Sequence, residues 1–270
     1  MLFGLGLRHP HHNTVLTQKP DVGFFEIHSE NFIANGGASI EFLDKISQLY
    51  PLSFHCVGLS LGSAVGLDKK HLANIKNLCD QFKPILLSDH LSWSSSDKGV
   101  SNDLLPIPYT KEALQIFCDN VKSAQNFFGR QILIENPSAY LEFEDADFSE
   151  VDFINEVAKQ TNCAILLDIN NIFVSAKNFG FDAFKYLENI DINSVKEIHL
   201  AGHSVSNFDG QEIRIDTHST QICDEVFELY KKFSAKKLAI PTLVEWDEEI
   251  PEFEVLYEEM KKVREVYEKS

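Results

Sequence analysis

The 270-residue sequence has no apolar run approaching the ~20 residues that a membrane-spanning helix needs. Its N-terminus, MLFGLGLRHPHH, lacks a basic leading segment, a long apolar stretch and a small-residue cleavage site, so it does not read as a signal peptide. Cysteine is scarce and scattered. Cys56, Cys79, Cys118, Cys163 and Cys223 are odd in number and form no CxxC pair, the pattern of reduced, mostly buried thiols in a cytoplasmic protein. Lys and Arg never cluster beyond two in a row, and against 24 of them stand 41 Asp and Glu, a net charge of −17. A surface of that sign repels phosphate backbones, which excludes general nucleic-acid and anionic-membrane binding. Gly and Pro are few, at 13 and 9, and no linker, sequence repeat or low-complexity tract divides the chain, so disordered and collagen-like classes are out. GxSxG and Walker A motifs are missing, and Gly4-Leu-Gly6 lacks the third glycine of a dinucleotide fingerprint, so NAD and FAD are not expected.

What is present is a repeat of pattern. Eight β-rich runs, Leu2–Leu7, Gly23–His28, Leu52–Val57, Ile85–His90, Gln131–Glu135, Ala164–Asp168, Val195–Ala201 and Thr242–Glu245, alternate with amphipathic helical stretches. Several runs are almost continuously apolar, as parallel strands covered on both faces are. Leu72, Ile75, Cys79 and Phe82 recur at helical spacing, as do Leu114, Phe117, Cys118 and Val121, and Ile222, Val226, Leu229 and Phe233. Thr110 and Ser219 precede two of these stretches as N-cap candidates. The alternation predicts an α/β protein, one (β/α)8 TIM barrel over residues 1–270 with a C-terminal helix at about 251–268; a doubly wound open sheet is the competitor.

The strand ends favour the barrel. The second ends in Glu26-Ile-His28, the third in His55, the fourth in Asp89-His90 and the fifth in Glu135-Asn136. The sixth gives Asp168-Ile-Asn170-Asn171, the seventh His199 and then His203, and the eighth Glu245-Trp-Asp247. Charged groups directly after apolar residues are costly unless paired or metal-bound, and in a closed barrel all these ends converge on one mouth. Asp216-Thr-His218, in the long segment after the seventh strand, adds an i, i+2 pair. So many carboxylates together would repel one another without cations, and imidazole with carboxylate suits iron, zinc or manganese. Arg8, just past the first strand, is the candidate for binding a substrate carboxylate, and Asp247 is the second candidate catalytic group. Asn136-Pro137-Ser138 and Trp93 are expected to shape the pocket.

The segments GLGLRH, FFEIHSENF, HCVGLSLGS, SDHLSW, ENPSAYLEF, LLDINNIFVSAKNFGFD, EIHLAGH, DTHS and TLVEWDEEIP, in this order from about Gly4 to Pro251, resemble the motifs of the multinuclear non-haem iron-dependent oxidative enzymes, the domain-of-unknown-function family 692. The resemblance implies a barrel of the xylose-isomerase and endonuclease IV type. It also implies two or three iron ions in a mixed-valent Fe(II)/Fe(III) centre, and O2-dependent oxidation of cysteines in a ribosomally made precursor peptide, beside a companion protein that recognises the peptide. By the same resemblance His55, His90 and Glu135 ligate one iron, and Glu135 bridges to a second held by Asp168, His203 and Glu245. Asp216 and His218 match a third position, with Asn171 as a further candidate. His199 lies in the motif as a ligand or as a group orienting one, and Glu26, His28 and Asn136 stand as ligands or supports. Two other readings stay open at this point, a zinc hydrolase or isomerase on the same kind of barrel and a non-catalytic metal-binding protein.

Overall fold

A computed structural model describes residues 2–33, 37–97, 99–236 and 238–270, with Asn102 described in its backbone only; every candidate site residue is among them. The eight apolar runs all form strands: β1 (Phe3–Gly6), β2 (Phe24–His28), β3 (Leu52–His55), β4 (Leu86–His90), β7 (Leu133–Glu135), β8 (Ala164–Asp168), β9 (Val195–Leu200) and β12 (Thr242–Val244). They pair in parallel and close in the order β1-β12-β9-β8-β7-β4-β3-β2. Closure rules out the open sheet. Two antiparallel hairpins, β5 (Trp93–Ser96) with β6 (Gly99–Leu105) and β10 (Ser204–Phe208) with β11 (Gln211–Ile215), are inserted after β4 and β9. Neither was foreseen from the sequence, since both are largely polar and solvent-facing.

Helices cover the outside through the predicted stripes. Leu72, Ile75 and Cys79 are buried from Lys69–Phe82, Leu114, Phe117, Cys118 and Val121 from Lys111–Phe128, and Val226, Leu229 and Phe233 from Asp224–Ser234. Each fully buried side chain of this size contributes about 1.5–3 kcal/mol, so the stripes fix the helices on the strands. Thr110 caps its helix as expected, accepting the Ala113 N–H at 3.2 Å. Ser219 does not cap: the helix begins at Asp224, and the Ser219 hydroxyl pairs instead with Thr217 at 2.7 Å. The C-terminal helix runs Phe253–Lys269.

Inside the barrel, registers align His28 with His55, His90 with Glu135, and Asp168 with His199. Because strand side chains alternate with period two, each of these residues shares its inward face with the residue two places before it. The lower positions of several strands are apolar. Leu133, Ala164 and Leu166 form a buried cluster with Leu86. The Phe24 ring fills the space a side chain at position 4 would need, since a Cβ on Gly4 would lie 2.5 Å from it. The lower interior is therefore apolar along β7 and β8, while Glu26, Ser53 and Glu197 keep it polar on β2, β3 and β9.

Candidate metal centre

Three strand ends meet at one point. His55 Nε2 lies 3.1 Å from Glu135 Oε2 and 3.2 Å from His90 Nε2, and His90 Nε2 lies 3.3 Å from the same oxygen. His55 and Glu135 are fixed from behind. His55 Nδ1 pairs with the Ser88 hydroxyl at 2.7 Å, and Asn171 Nδ2 donates to Glu135 Oε1 at 3.3 Å. The Nε2 atoms of His55 and His90 and the free Glu135 oxygen thus face a common centre, the arrangement in which neighbours orient metal ligands.

Beside it lie Asp168, His199, His218 and Glu245. Asp168 caps the helix Ile169–Phe179 through Oδ1, which accepts the Asn171 N–H at 2.6 Å, while its Oδ2 has no hydrogen-bond partner. Ligand atoms of Glu135, Asp168 and His199 lie within 4.8 Å of one another, as do those of Asp168, His218 and Glu245. The hairpin β10–β11 delivers Asp216 and His218 to the mouth. His218 Nε2 is 2.7 Å from Asp216 Oδ1, and its backbone takes a left-handed φ of 46°, a conformation that non-glycine residues hold only where their surroundings require it.

Some candidates stand elsewhere. His203 is not brought to this group: its Nδ1 pairs with Asn170 Oδ1 at 3.0 Å and its Nε2 with Arg214 at 2.8 Å, because β9 ends at Leu200 and the chain has already turned toward the hairpin. Arg8, the candidate for a substrate carboxylate, is already paired within the protein. Its guanidinium pairs with Asp247 and, at 3.2 Å, with Glu245, which neutralises part of the acidic mouth. His28 joins this network 3.3 Å from Glu245. Asn136 bonds the Asp168 backbone through both side-chain atoms, at 2.9 Å each, and so ties β7 to β8. Trp93 donates its indole N–H to Pro106 O at 3.0 Å and braces the β5–β6 hairpin. Glu26 lies fully buried 3.3 Å from His199 Nε2. The sequence reading missed Glu197, equally buried, although it precedes His199 by two residues on one strand and so shares its inward face.

The electrostatics follow from burial against opposite charge. Burial disfavours charge on His55, yet Glu135 holds its pKa up to about 10. Burial likewise opposes ionisation of Glu135, but His90 and His55 bring it down to about 2. Glu245 is held well below the usual carboxylate range by His199 and His218 despite its burial, and those two histidines are raised in turn. Asp168 goes the other way, raised by burial and by the charges of Glu135 and Asp216. Burial and the neighbouring Glu26 push Glu197 up to about 8. Buried atoms without hydrogen-bond partners include Glu135 Oε2, Asp168 Oδ2, Asn171 Oδ1, His199 Nε2 and His218 Nε2. Nitrogen and carboxylate donors converging in this way fit divalent transition metals.

Above the group opens a cavity of about 780 Å³, lined by His28, His55, His90, Glu135 and His218 at its base and by Leu104, Tyr140 and Leu141 on its walls. The donors therefore face an accessible space.

The barrel is similar to D-psicose 3-epimerase from Clostridium cellulolyticum, with a TM-score of 0.63, 10% identity and coverage of 100% of this chain and 99% of the other. It is also similar to endonuclease IV from Thermus thermophilus, with a TM-score of 0.61, 13% identity and full coverage of both chains. At those identities the likeness concerns the fold, a xylose-isomerase-like and endonuclease IV-like TIM barrel. In sequence the chain is 50% identical over 260 residues to a UPF0276 protein of Psychromonas ingrahamii, covering 96% of this chain and 92% of that one. A family model described as RiPP precursor modification enzyme MbnB/TglH/ChrH, for enzymes acting on ribosomally made and later modified peptides, matches residues 2–268. Matched over nearly its whole length, the chain belongs to the MbnB/TglH/ChrH family of RiPP precursor modification enzymes.

Proposed function

We propose that this family member is an iron-dependent oxidase that uses O2 to modify cysteine residues of a ribosomally made precursor peptide, with a companion protein presenting the peptide. The observation that carries the reading is the convergence of His55 Nε2, His90 Nε2 and Glu135 Oε2 beneath a cavity open to solvent. His55, His90 and Glu135 would hold one ion. Asp168, His218 and Glu245, with Asp216 against His218, would hold another. Bound iron supplies redox equivalents for O2 and Lewis acidity toward a thiol.

The chain's own residues supply geometry, proton control and exclusion of water. Ser88 holds the His55 ring through Nδ1, and Asn171 holds one Glu135 oxygen so that the other faces inward. Asp247 Oδ2, 3.3 Å from His218 Nδ1 at the rim, is placed to orient that imidazole toward the pocket. Leu104, Tyr140 and Leu141 form the walls against which a peptide side chain would displace water. A cytoplasmic location suits five cysteines that are all free thiols, and no helix among the described residues is long and apolar enough to cross a membrane.

The test is anaerobic loading with Fe(II), followed by O2 and the cognate cysteine-containing peptide with its companion. The expected result is O2 uptake with a change in peptide mass. No change in mass and no uptake by the iron-replete protein would refute the reading. The same donors take zinc, and the fold neighbours include an epimerase and an endonuclease. Activity that survives iron chelation and follows zinc content would favour a zinc hydrolase or isomerase instead.

A further inference from the structure

One layer below the mouth, a second group of polar side chains occupies the same barrel interior. Glu26 precedes His28 by two residues on β2, Glu197 precedes His199 by two on β9, and Ser53 precedes His55 by two on β3. Glu26, Ser53, Glu197 and His199 are all 0% exposed. Ser53 Oγ donates to Glu26 Oε2 at 2.9 Å and lies 3.5 Å from Glu197 Oε2. The other carboxylate oxygens, Glu26 Oε1 and Glu197 Oε1, have no hydrogen-bond partner. Among the described residues the one ion pair to either carboxylate comes from His199, whose Nε2 is 3.3 Å from Glu26 Oε1 yet makes no hydrogen bond to it. Its Nδ1 pairs with Glu245 Oε2 at 3.1 Å.

This is the same signature as the triad above. At His55, His90 and Glu135, nitrogen and oxygen atoms stand 3.1–3.3 Å apart around a common point, and Glu135 Oε2 likewise has no hydrogen-bond partner. Below, ligand atoms of Glu26, Glu197 and His199 lie within 4.8 Å of one another. If Nδ1–H is donated to Glu245, the Nε2 lone pair is left facing the two carboxylates. Two carboxylates and a neutral imidazole balance a divalent cation, which removes the cost of enclosing uncompensated charge.

We propose that Glu26, Glu197 and His199 form a cation site of their own beneath the mouth, with Ser53 Oγ at its edge, taking a divalent transition metal such as Mn(II), Fe(II) or Zn(II). The site extends the metal reading of the mouth but does not require the mouth ions to be iron. Fully enclosed, it offers no position to substrate. Its role is to hold His199 and, through the imidazole Nδ1–H, the Glu245 carboxylate. Enclosure also makes the ion slow to exchange, so it enters as the chain folds.

The experiment loads the full-length protein with Mn(II) alone during refolding, then follows metal content under dialysis against a chelator and locates the ions by anomalous scattering from crystals. One equivalent per chain should outlast the others, with an anomalous peak among Glu26, Glu197 and His199. Glu197→Gln should lose the resistant equivalent and keep the labile ones; His90→Ala should do the reverse. A wild-type map without that peak, or with His199 bonded only to an ion on Glu135 and Asp168, overturns the proposal even if Glu197→Gln fails to fold. So does a Glu197→Gln protein that keeps the resistant equivalent. A peak below with none at the mouth would support this site while refuting the catalytic reading above, and peaks at the mouth alone would do the opposite.

Discussion

On β7 and β8 the two ends of the barrel interior are built by the same strands and have opposite chemistry, whereas β2 and β9 carry Glu26 and Glu197 at the lower level as well. On β8, Leu166 faces the apolar lower layer with Leu133 and Ala164, while Asp168, two residues on, faces the charged mouth; on β7, Leu133 and Glu135 divide in the same way. A step of two residues moves a side chain about 7 Å along the strand without turning it over, so one strand can devote its lower position to stability and its upper one to chemistry. The apolar layer is favourable by itself. The mouth is costly by itself, because it encloses several carboxylates and histidines that need cations or shared protons.

The largest effects should separate the two ends. Leu166→Ala should cost about 2–5 kcal/mol in chemical denaturation and leave metal content per folded chain unchanged, as expected for a cavity in a fully buried cluster. Glu135→Gln should do the opposite. Glu135 has ligand atoms near both His55 with His90 and Asp168 with His199, so metal content should fall by more than one equivalent. A loss of one equivalent or none would show that it does not bridge.

The mouth should also exchange protons for metal. With His55 raised to about 10 and His199 and His218 raised as well, these groups hold protons near neutral pH. A cation must displace them, so affinity should rise with pH, and Mn(II) binding heats measured in two buffers of different ionisation enthalpy should report net proton release. Equal heats in both buffers would contradict the coupling. Smaller effects test the rim. Asp247→Asn should retain metal and slow turnover, and His203→Ala should retain metal outright, because its ring is engaged by Asn170 and Arg214.

The smallest effect concerns a carboxyl outside the mouth. Glu150, with no histidine partner, is pushed by burial up to about 7, although Tyr109 and Tyr186 hydroxyls donate to it, whereas Glu135 among histidines falls to about 2. A carboxyl raised in the folded state favours folding while protonated, so its contribution is full below about pH 4.5 and is lost as pH rises through about 7. Glu150→Gln should remove that loss, a gain of roughly 2 kcal/mol at pH 8 that is smaller than the full shift because the residue is partly exposed. Denaturation midpoints at pH 5 and pH 8 measure it.

The barrel was legible because each strand carries its own apolar run and helices bury one stripe each. The polar strand ends were legible for the same reason, since His55, His90, Glu135 and Asp168 stand directly after buried residues. What sequence could not give was the last residue of each strand. In Glu197-Ile-His199-Leu-Ala-Gly-His203 both histidines look equally placed, and only the end of β9 at Leu200 decides that the first faces the mouth and the second pairs with Arg214. The pairing of Arg8 across the closed barrel, to Glu245 and Asp247 more than 230 residues away, leaves no local trace in the sequence. The hairpins were missed because neither buries a face.

A mouth that holds redox-active cations should show them in elemental analysis and Mössbauer spectra of anaerobically purified protein. At least two irons per chain in distinct environments are expected, with one environment lost in His90→Ala. Metal-free protein, or a full complement of zinc without iron, would contradict it.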